Sequence, residues 1–233
     1  MTEIIYTEEK GEYLKKNPTW HVEDSPWKAK QIIKMLKRNP INPTSIAEIG
    51  CGAGEILNQL HLSMPNYLRF TGYDISSDAI SLAKTREKER LKFMHENLLE
   101  TNARFDLLLM IDVFEHVDDY LGFLKLCKSK AKNTIFHIPL DISAQGILRN
   151  KLMDARNSVG HLHYFMKETA LATLVDSGYD IVDFFYTAGS LDLPTKTLRS
   201  KIAVLPRKLM FKLNEDIAVK LLGGFSLLVL TKN

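Results

Sequence analysis

The segment AEIGCGAG, residues 47–54, decides the fold. It contains three glycines at alternate positions, between the short apolar segment 45–49 and a helical apolar pattern that runs until Pro65. Because glycine has no Cβ and tolerates unusual dihedral angles, the backbone of such a loop can approach a ligand closely. The segment therefore predicts a strand, a ligand-binding loop and a helix in direct succession. The glycines are Gly50, Gly52 and Gly54.

Strands and helices alternate along the rest of the chain. A serine at position 25 before Pro26 is typical of a helix N-cap with proline at the first helical position, and the apolar segment 105–111 is typical of a central parallel strand buried on both faces. We predict further helices at residues 26–38, 77–88, 119–130 and 167–177, and strands at residues 45–49, 68–74, 91–95, 105–111, 134–138, 180–186 and 225–230.

Repeated βα units predict an α/β fold, a three-layer Rossmann-like sandwich with a mostly parallel seven-stranded sheet. A long segment of helical character precedes the last strand, so we predict that this strand is antiparallel and is added at the end of the sheet. We expect one domain over residues 1–233, with an N-terminal helical cover at about residues 1–40. A basic helical insertion is expected at about residues 190–222.

Composition excludes several classes of protein. The chain has 233 residues, 45% of them hydrophobic, and a formal net charge of +3, which does not indicate a nucleic-acid partner. Its two cysteines and its N-terminal residues favour a cytoplasmic protein. The longest apolar stretch, residues 217–230, is shorter than the roughly 20 residues that cross a bilayer, so we predict no transmembrane helix.

An acidic residue stands at the end of the strand that follows the glycine loop and its helix. Asp74 ends the second predicted strand, where a carboxylate can accept hydrogen bonds from ribose hydroxyls. The loop spacing G-x-G-x-G differs from the G-x-G-x-x-G of nicotinamide enzymes, and the chain contains no G-x-x-x-x-G-K-S/T motif. These observations favour a nucleoside-containing cofactor without a pyrophosphate.

Four blocks together resemble the class I S-adenosylmethionine (SAM) dependent methyltransferases, and more closely their small-molecule, ubiquinone-biosynthesis-like group. They are AEIGCGAG (47–54), GYDIS (72–76), FDLLLMIDVFEHV (105–117) and GHLHYF (160–165), and the resemblance spans about residues 40–190.

The resemblance implies where the SAM cofactor, and its product S-adenosylhomocysteine (SAH), would bind. The resemblance implies that the methionine part of SAM is surrounded by Glu48, Gly50, Cys51, Gly52 and Gly54. It also implies that Asp74 binds the ribose and that Ile75 packs against the adenine. Asn97 stands where the family often has an acid for the adenine amino group, followed by Leu98. The resemblance also implies that Met110 and Ile111 line the cofactor, and that Asp112 and His116 face the reaction region.

Three histidines are candidate catalytic residues. If the acceptor is a hydroxyl, its proton must leave, and an imidazole is a natural base. His116 is the first candidate, although it can also form a purely local hydrogen bond. His161 and His163 alternate in GHLHYF, where Tyr164 is a candidate substrate contact. Alternating histidines can also chelate a metal, but no third ligand is evident: Asp112, Glu115 or His116 could join them only if the fold brought them close, and we assign no metal site.

Two peripheral regions have alternative interpretations. Trp20, His21 and Trp27 either cover the acceptor or form a hydrophobic cluster. The segment 195–212 contains six basic residues and no acid. It suits a lid for an anionic or lipid-linked acceptor, a peripheral contact with a membrane surface, or a solvated amphipathic helix pair.

The sequence favours an enzyme that methylates a small or medium-sized acceptor, with a slight preference for O-methylation. Two alternatives are a methyltransferase-like module that binds SAM or SAH without turnover and, less favoured by the loop spacing, a nicotinamide-dependent oxidoreductase. The sequence does not identify the acceptor or the oligomeric state.

Overall fold

A computed structural model describes Trp20, residues 22–194 and residues 198–233, with the backbone alone at 198–200. Most of the expected N-terminal cover, including His21, and residues 195–197 of the basic segment lie outside this range. Seven strands of the described chain form one sheet in the order β3-β2-β1-β4-β5-β7-β6. They are β1 (Ser45–Ile49), β2 (Arg69–Asp74), β3 (Leu91–His95), β4 (Phe105–Ile111), β5 (Ala131–Pro139), β6 (Asp180–Thr187) and β7 (Ser226–Lys232).

Helices cover both faces of the sheet, and the sheet separates two hydrophobic layers, one on each side. None of the helices in the described ranges combines the length and the hydrophobicity that crossing a bilayer requires. The α-helices of the described residues are α1 (Ser25–Arg38), α2 (Glu55–Ser63), α3 (Ser77–Lys84), α4 (Tyr120–Cys127), α5 (Ala144–Leu148), α6 (Lys151–Val159), α7 (Lys167–Asp176), α8 (Gly189–Asp192), α9 (Leu198–Leu213) and α10 (Glu215–Leu222).

The sheet is parallel from β3 to β5, and β7 is antiparallel to both of its neighbours. This confirms the predicted α/β sandwich, with its mostly parallel seven-stranded sheet and antiparallel last strand. The predicted place of the last strand was wrong, because β7 lies between β5 and β6 rather than at the end. Residues 227–231 of β7 are all buried, which suits a strand with partners on both edges.

Helix ends differ from the predictions for local reasons. The N-cap of α1 is Asp24 rather than Ser25, because a 3-10 turn at Val22–Asp24 leads into the helix and Ser25 is already buried within it. The helix α3 ends at Lys84 rather than at residue 88, because Lys88 pairs with Leu91 in the tight turn that starts β3. The helices α5 and α6 were not predicted.

The order of strands places the glycine loop at a switch point of the sheet. The chain proceeds from β1 outward through β2 to β3, then returns to the other side of β1 with β4, so that Ile49 lies beside Met110. In open α/β sheets, ligands bind outside the carboxyl ends of the strands where the order reverses. The site is therefore expected beyond Ile49 and Ile111.

Candidate active site

A cavity of about 830 Å³ opens at the carboxyl ends of the central strands. Met110, His163 and Tyr164 are not among the residues that line it. Most of the residues that the sequence singled out do line it: Trp20, Glu48, Gly50, Cys51, Gly52, Gly54, Asp74, Ile75, Asn97, Leu98, Ile111, Asp112, His116 and His161.

The glycine loop adopts a conformation that requires glycine. Gly50, Gly52 and Gly54 have φ of +68°, +52° and +77°, in the left-handed region that residues with a Cβ rarely adopt. A Cβ at Gly52 would lie 2.7 Å from the indole Cδ1 of Trp20. The thiol of Cys51 is buried and burial raises its pKa, so it is a packing group rather than a nucleophile.

Asp74 links the loop to the end of β2. Its carboxylate accepts hydrogen bonds from the backbone N–H of Gly52 (2.8 Å) and of Ser76 (2.9 Å), one on each oxygen. Burial raises the pKa of this carboxyl, although the backbone donors oppose the shift. A carboxylate has about four lone-pair positions, so each oxygen can still accept a hydrogen bond from a hydroxyl group of a ligand.

Glu48 is an acid buried under the loop. It is 1% exposed, and its Oε2 accepts no hydrogen bond within the described part of the chain. Burial raises its pKa well above the ordinary value, an effect that Lys28 opposes and Asp74 reinforces. A buried carboxylate without a partner suits a ligand that brings a cationic or hydrogen-bond-donating group.

A charged network connects α1 to the ends of β4 and β5. Lys28 Nζ lies 2.9 Å from Asp24 Oδ2 and 2.8 Å from Asp112 Oδ2. The other oxygen of Asp112 lies 2.6 Å from His137 Nδ1. Burial disfavours both charges, yet the partners outweigh it: His137 and Lys28 depress the pKa of Asp112, and Asp112 and Asp24 raise that of Lys28.

A second polar group consists of two histidines that line the cavity, His116 and His161, and two acids behind them, Asp141 and Glu115. Asp141 Oδ2 lies 2.7 Å from His161 Nδ1, and the rings of His161 and His116 lie 4.9 Å apart. The Nδ1 of His116 faces the carbonyl oxygen of Gly160 at 3.1 Å. Burial lowers the pKa of His116 to about 4, with a contribution from His161, so His116 is neutral at neutral pH.

Glu115 lies beneath these rings. It is fully buried, and neither of its carboxylate oxygens has a hydrogen-bond partner among the described residues. Burial raises its pKa well above the ordinary value, and Asp112 adds to the shift. Its backbone carbonyl accepts from the N–H groups of Leu162 (2.9 Å) and His163 (3.1 Å), which fixes the loop that carries His161.

Glu115, His116 and His161 are also the described residues that could hold a metal ion. One donor atom from each lies within 4.8 Å of the others. Two imidazoles and one carboxylate are a donor set that zinc uses in proteins. Of the further ligands considered from the sequence, the fold brings Glu115 and His116 close to His161, whereas His163 does not belong to the group.

His163 and Tyr164 are directed away from the cavity. His163 Nε2 lies 2.9 Å from the carbonyl oxygen of Val117, and its ring packs on Tyr120 with centroids 4.4 Å apart. The hydroxyl of Tyr164 donates to the carbonyl of His161 at 3.2 Å. Both side chains therefore stabilise the loop instead of facing a ligand.

The sequence analysis missed Lys28, His137 and Asp141. Asp141 follows the carboxyl end of β5, a position where ligand-binding groups gather, and this signal could have identified it. His137 interrupts an otherwise apolar strand, and a buried imidazole of this kind needs a hydrogen-bond partner. Lys28 lies on α1 among other lysines, and no sequence signal distinguishes it from them.

Comparison with known proteins decides the family. The profile of a family described as a methyltransferase domain matches residues 22–182. The chain belongs to this methyltransferase family. Its place among the class I, SAM-dependent methyltransferases, which the sequence resemblance predicted, is confirmed.

Curated relatives of this methyltransferase domain match over shorter stretches. The ubiquinone biosynthesis O-methyltransferase of Rhodopseudomonas palustris is 34% identical over 111 residues, covering 43% of each protein. A bifunctional methyltransferase of Rickettsia bellii is 38% identical over 88 residues, covering 34% of this chain and 16% of the relative. The chain spans less than half the length of the curated relatives that it matches.

Solved structures share the fold over nearly the whole chain. The methyltransferase in a complex with the Haloferax volcanii Trm112 methyltransferase activator has a TM-score of 0.66 at 14% identity, covering 98% of this chain and 96% of that one. The N-methyltransferase NodS of Bradyrhizobium japonicum WM9, in complex with SAH, has a TM-score of 0.56 at 16% identity, covering 100% and 96%. At such low identity the likeness establishes the fold alone.

Proposed function

We propose that this methyltransferase domain is an enzyme that transfers a methyl group from SAM to the oxygen of a small or medium-sized acceptor. One observation carries the proposal: a single cavity joins the glycine loop and Asp74 to His161, whose Nδ1 lies within hydrogen-bond distance of Asp141. The first half suits a nucleoside cofactor, and the second half suits an acceptor that must lose a proton. The two halves adjoin at the carboxyl ends of β1 and β4.

The residues of the first half fit the cofactor. Asp74 would accept hydrogen bonds from the ribose hydroxyls, and the partnerless Oε2 of Glu48 would accept one from the ammonium group of the methionine part. Ile75, Asn97 and Leu98 line the part of the cavity beyond Asp74 that would hold the adenine. When bound, SAM supplies a methyl group that is already activated as a sulfonium.

The residues of the second half would hold and remove a proton. Asp141 orients the His161 imidazole through Nδ1, as the acid does in an Asp–His pair of a hydrolase. The Nε2 of His161 then accepts the proton of the acceptor hydroxyl. His116 is a weaker base because its pKa is about 4, so we assign it to positioning the acceptor.

Two alternatives receive less support. A module that binds SAM or SAH without turnover needs no cavity beyond the cofactor loop, whereas this cavity continues to His161, His137 and Ser226. A nicotinamide oxidoreductase is disfavoured by the loop spacing and by Glu55, which occupies the position of the last glycine of the dinucleotide-binding motif.

Calorimetric titration with SAH, and in parallel with NADH, tests the proposed cofactor site. We expect Asp74→Ala to lower SAH affinity about a hundredfold, because it removes two hydrogen bonds to a charged acceptor, each contributing about 1.5 kcal/mol. The control Asp176→Ala removes an exposed acid at the end of α7 and should bind SAH like the wild type. Binding of NADH alone, or of neither molecule, would refute the proposal.

A further inference from the structure

The helix α9 exposes an apolar stripe to solvent. Ile202, Leu205, Leu209 and Leu213 have exposed fractions of 70%, 76%, 59% and 77%. Their spacing of three or four residues places all four on one side of the helix. Large apolar side chains that are this exposed and contiguous mark a surface that binds something.

The opposite side of α9 packs against the rest of the domain, so the apolar stripe faces outward. Arg207 donates hydrogen bonds to the carbonyl oxygens of Leu222 (3.1 Å) and Gly223 (2.6 Å). Phe211, one turn further along, stacks on Phe225 with ring centroids 5.1 Å apart. Arg207 and Phe211 lie across the helix from Leu209, so the stripe is directed away from the sheet.

Cations border the stripe. Lys201, Lys208 and Lys212 are exposed, and at 100° per residue they fall together along one flank of the four apolar residues. The segment 195–213 contains no acidic residue. An apolar ridge with lysines beside it is the pattern of a helix that lies in the headgroup region of an anionic membrane.

The position of α9 relates this surface to the cavity. Arg207 Nη2 donates to Gly223, and the next residue, Gly224, lines the cavity. The neighbouring helix α5 adds exposed Ile147 and Leu148, and its Gln145 accepts a hydrogen bond from Arg207 at 3.4 Å. The helix that carries the apolar stripe is therefore held beside the part of the cavity wall that Gly224 forms.

We propose that α9 docks this domain on the surface of a bilayer that contains anionic lipids. The apolar stripe enters the boundary between headgroups and acyl chains, and the lysines contact lipid phosphates. A second copy of the chain is a poorer occupant of this surface, because the lysines of two copies would repel each other. The inference does not require the proposed methyl transfer.

Co-sedimentation with vesicles tests the proposal. Phosphatidylcholine vesicles that contain about one third phosphatidylglycerol should pellet the wild-type chain, whereas pure phosphatidylcholine vesicles should retain far less of it. The triple variant Lys201→Gln, Lys208→Gln, Lys212→Gln should partition about a hundredfold more weakly, because it removes three cations that would contact the anionic surface. The double variant Leu205→Ser, Leu209→Ser should also lose binding.

Matched controls distinguish the effect of this surface from the effect of the chain's total charge and exposed hydrophobicity. Lys84→Gln, Lys92→Gln, Lys125→Gln removes the same charge from exposed positions elsewhere, and Leu62→Ser, Leu126→Ser removes leucines of similar exposure. Both controls should bind vesicles like the wild type, and every variant should retain its SAH affinity. Equal vesicle binding by the α9 variants and their controls would overturn the proposal. It would also be overturned if the wild type does not bind vesicles and instead forms a dimer that the double variant Leu205→Ser, Leu209→Ser dissociates.

Discussion

Asp112 combines an unusual backbone conformation with a buried network of charges. Its φ is +54°, a region in which asparagine and aspartate are tolerated better than other residues with a Cβ. Its carboxylate contacts Lys28 and His137, which in turn connect α1 and β5 to the end of β4. Asparagine therefore removes the charge at this position without adding backbone strain.

We expect Asp112→Asn to lower the free energy of unfolding by roughly 3 kcal/mol at neutral pH, because Lys28 then keeps Asp24 as its one ion-pair partner among the described residues. The folded-state pKa of Asp112 is depressed, so its contribution is complete above the ordinary carboxyl pKa of about 4 and is lost as the pH falls below it. Urea unfolding at neutral pH and near pH 3 measures the difference. A difference between wild type and variant that stays constant with pH would contradict this account.

Asp141 is the residue whose charge supports the proposed base. Asp141→Asn should lower kcat with a hydroxyl acceptor about a hundredfold and leave SAH affinity unchanged, because an uncharged amide that can also donate no longer fixes the His161 ring through Nδ1 as the carboxylate does. An amine acceptor, which can react without a protein base, should show a much smaller decrease. The exposed pair Lys151–Asp154 provides the control Asp154→Asn. Equal losses with both acceptors, together with weaker SAH binding, would indicate a structural role.

At the scale of elements, the turn from β1 into α2 is shaped by its glycines and by Trp20. We expect Gly52→Ala to lower SAH affinity at least tenfold, because the left-handed backbone and the contact with Trp20 both force the loop to shift. Gly178→Ala is the control and should bind SAH like the wild type, since Gly178 has a similar left-handed φ of +88° and does not line the cavity. Calorimetric titration compares the two variants. Unchanged affinity of Gly52→Ala would show that the loop does not contact the ligand.

Helices and strands could be predicted where their buried residues recur at a regular spacing in the sequence. The bounds of β1, β3 and β4 were predicted to the residue, because each is a short apolar segment between turn residues. The helix α6 was missed because none of its residues is buried, so no apolar stripe marks it in the sequence. The cavity wall was predicted in part, since Asp74 and His116 belong to recognisable blocks, whereas the Lys28–Asp112 pair joins residues far apart in sequence.

For the molecule as a whole, the order of the strands in the sheet could not be predicted from the sequence. The apolar segment of β7 predicts a buried strand, but periodicity does not say which neighbours it pairs with. Its insertion between β5 and β6 depends on how the helices α9 and α10 return the chain to the end of β6 that it left, where Ser226 pairs with Thr187. The same return positions Gly224 and Ser226 at the cavity.

The place of β7 also sets the order in which the chain can fold during its synthesis. The strand β6 has β7 as its one sheet partner in the described chain, and the segments of α9 and α10 are made between the two. At ordinary rates of translation, this interval lasts roughly a few seconds. Throughout it, β6 has no strand to pair with, and the edge of β5 stays open to other unpaired strands. The strand β7 is therefore the one that closes the sheet, and this half of the sheet cannot form until the segment after α10 has been made.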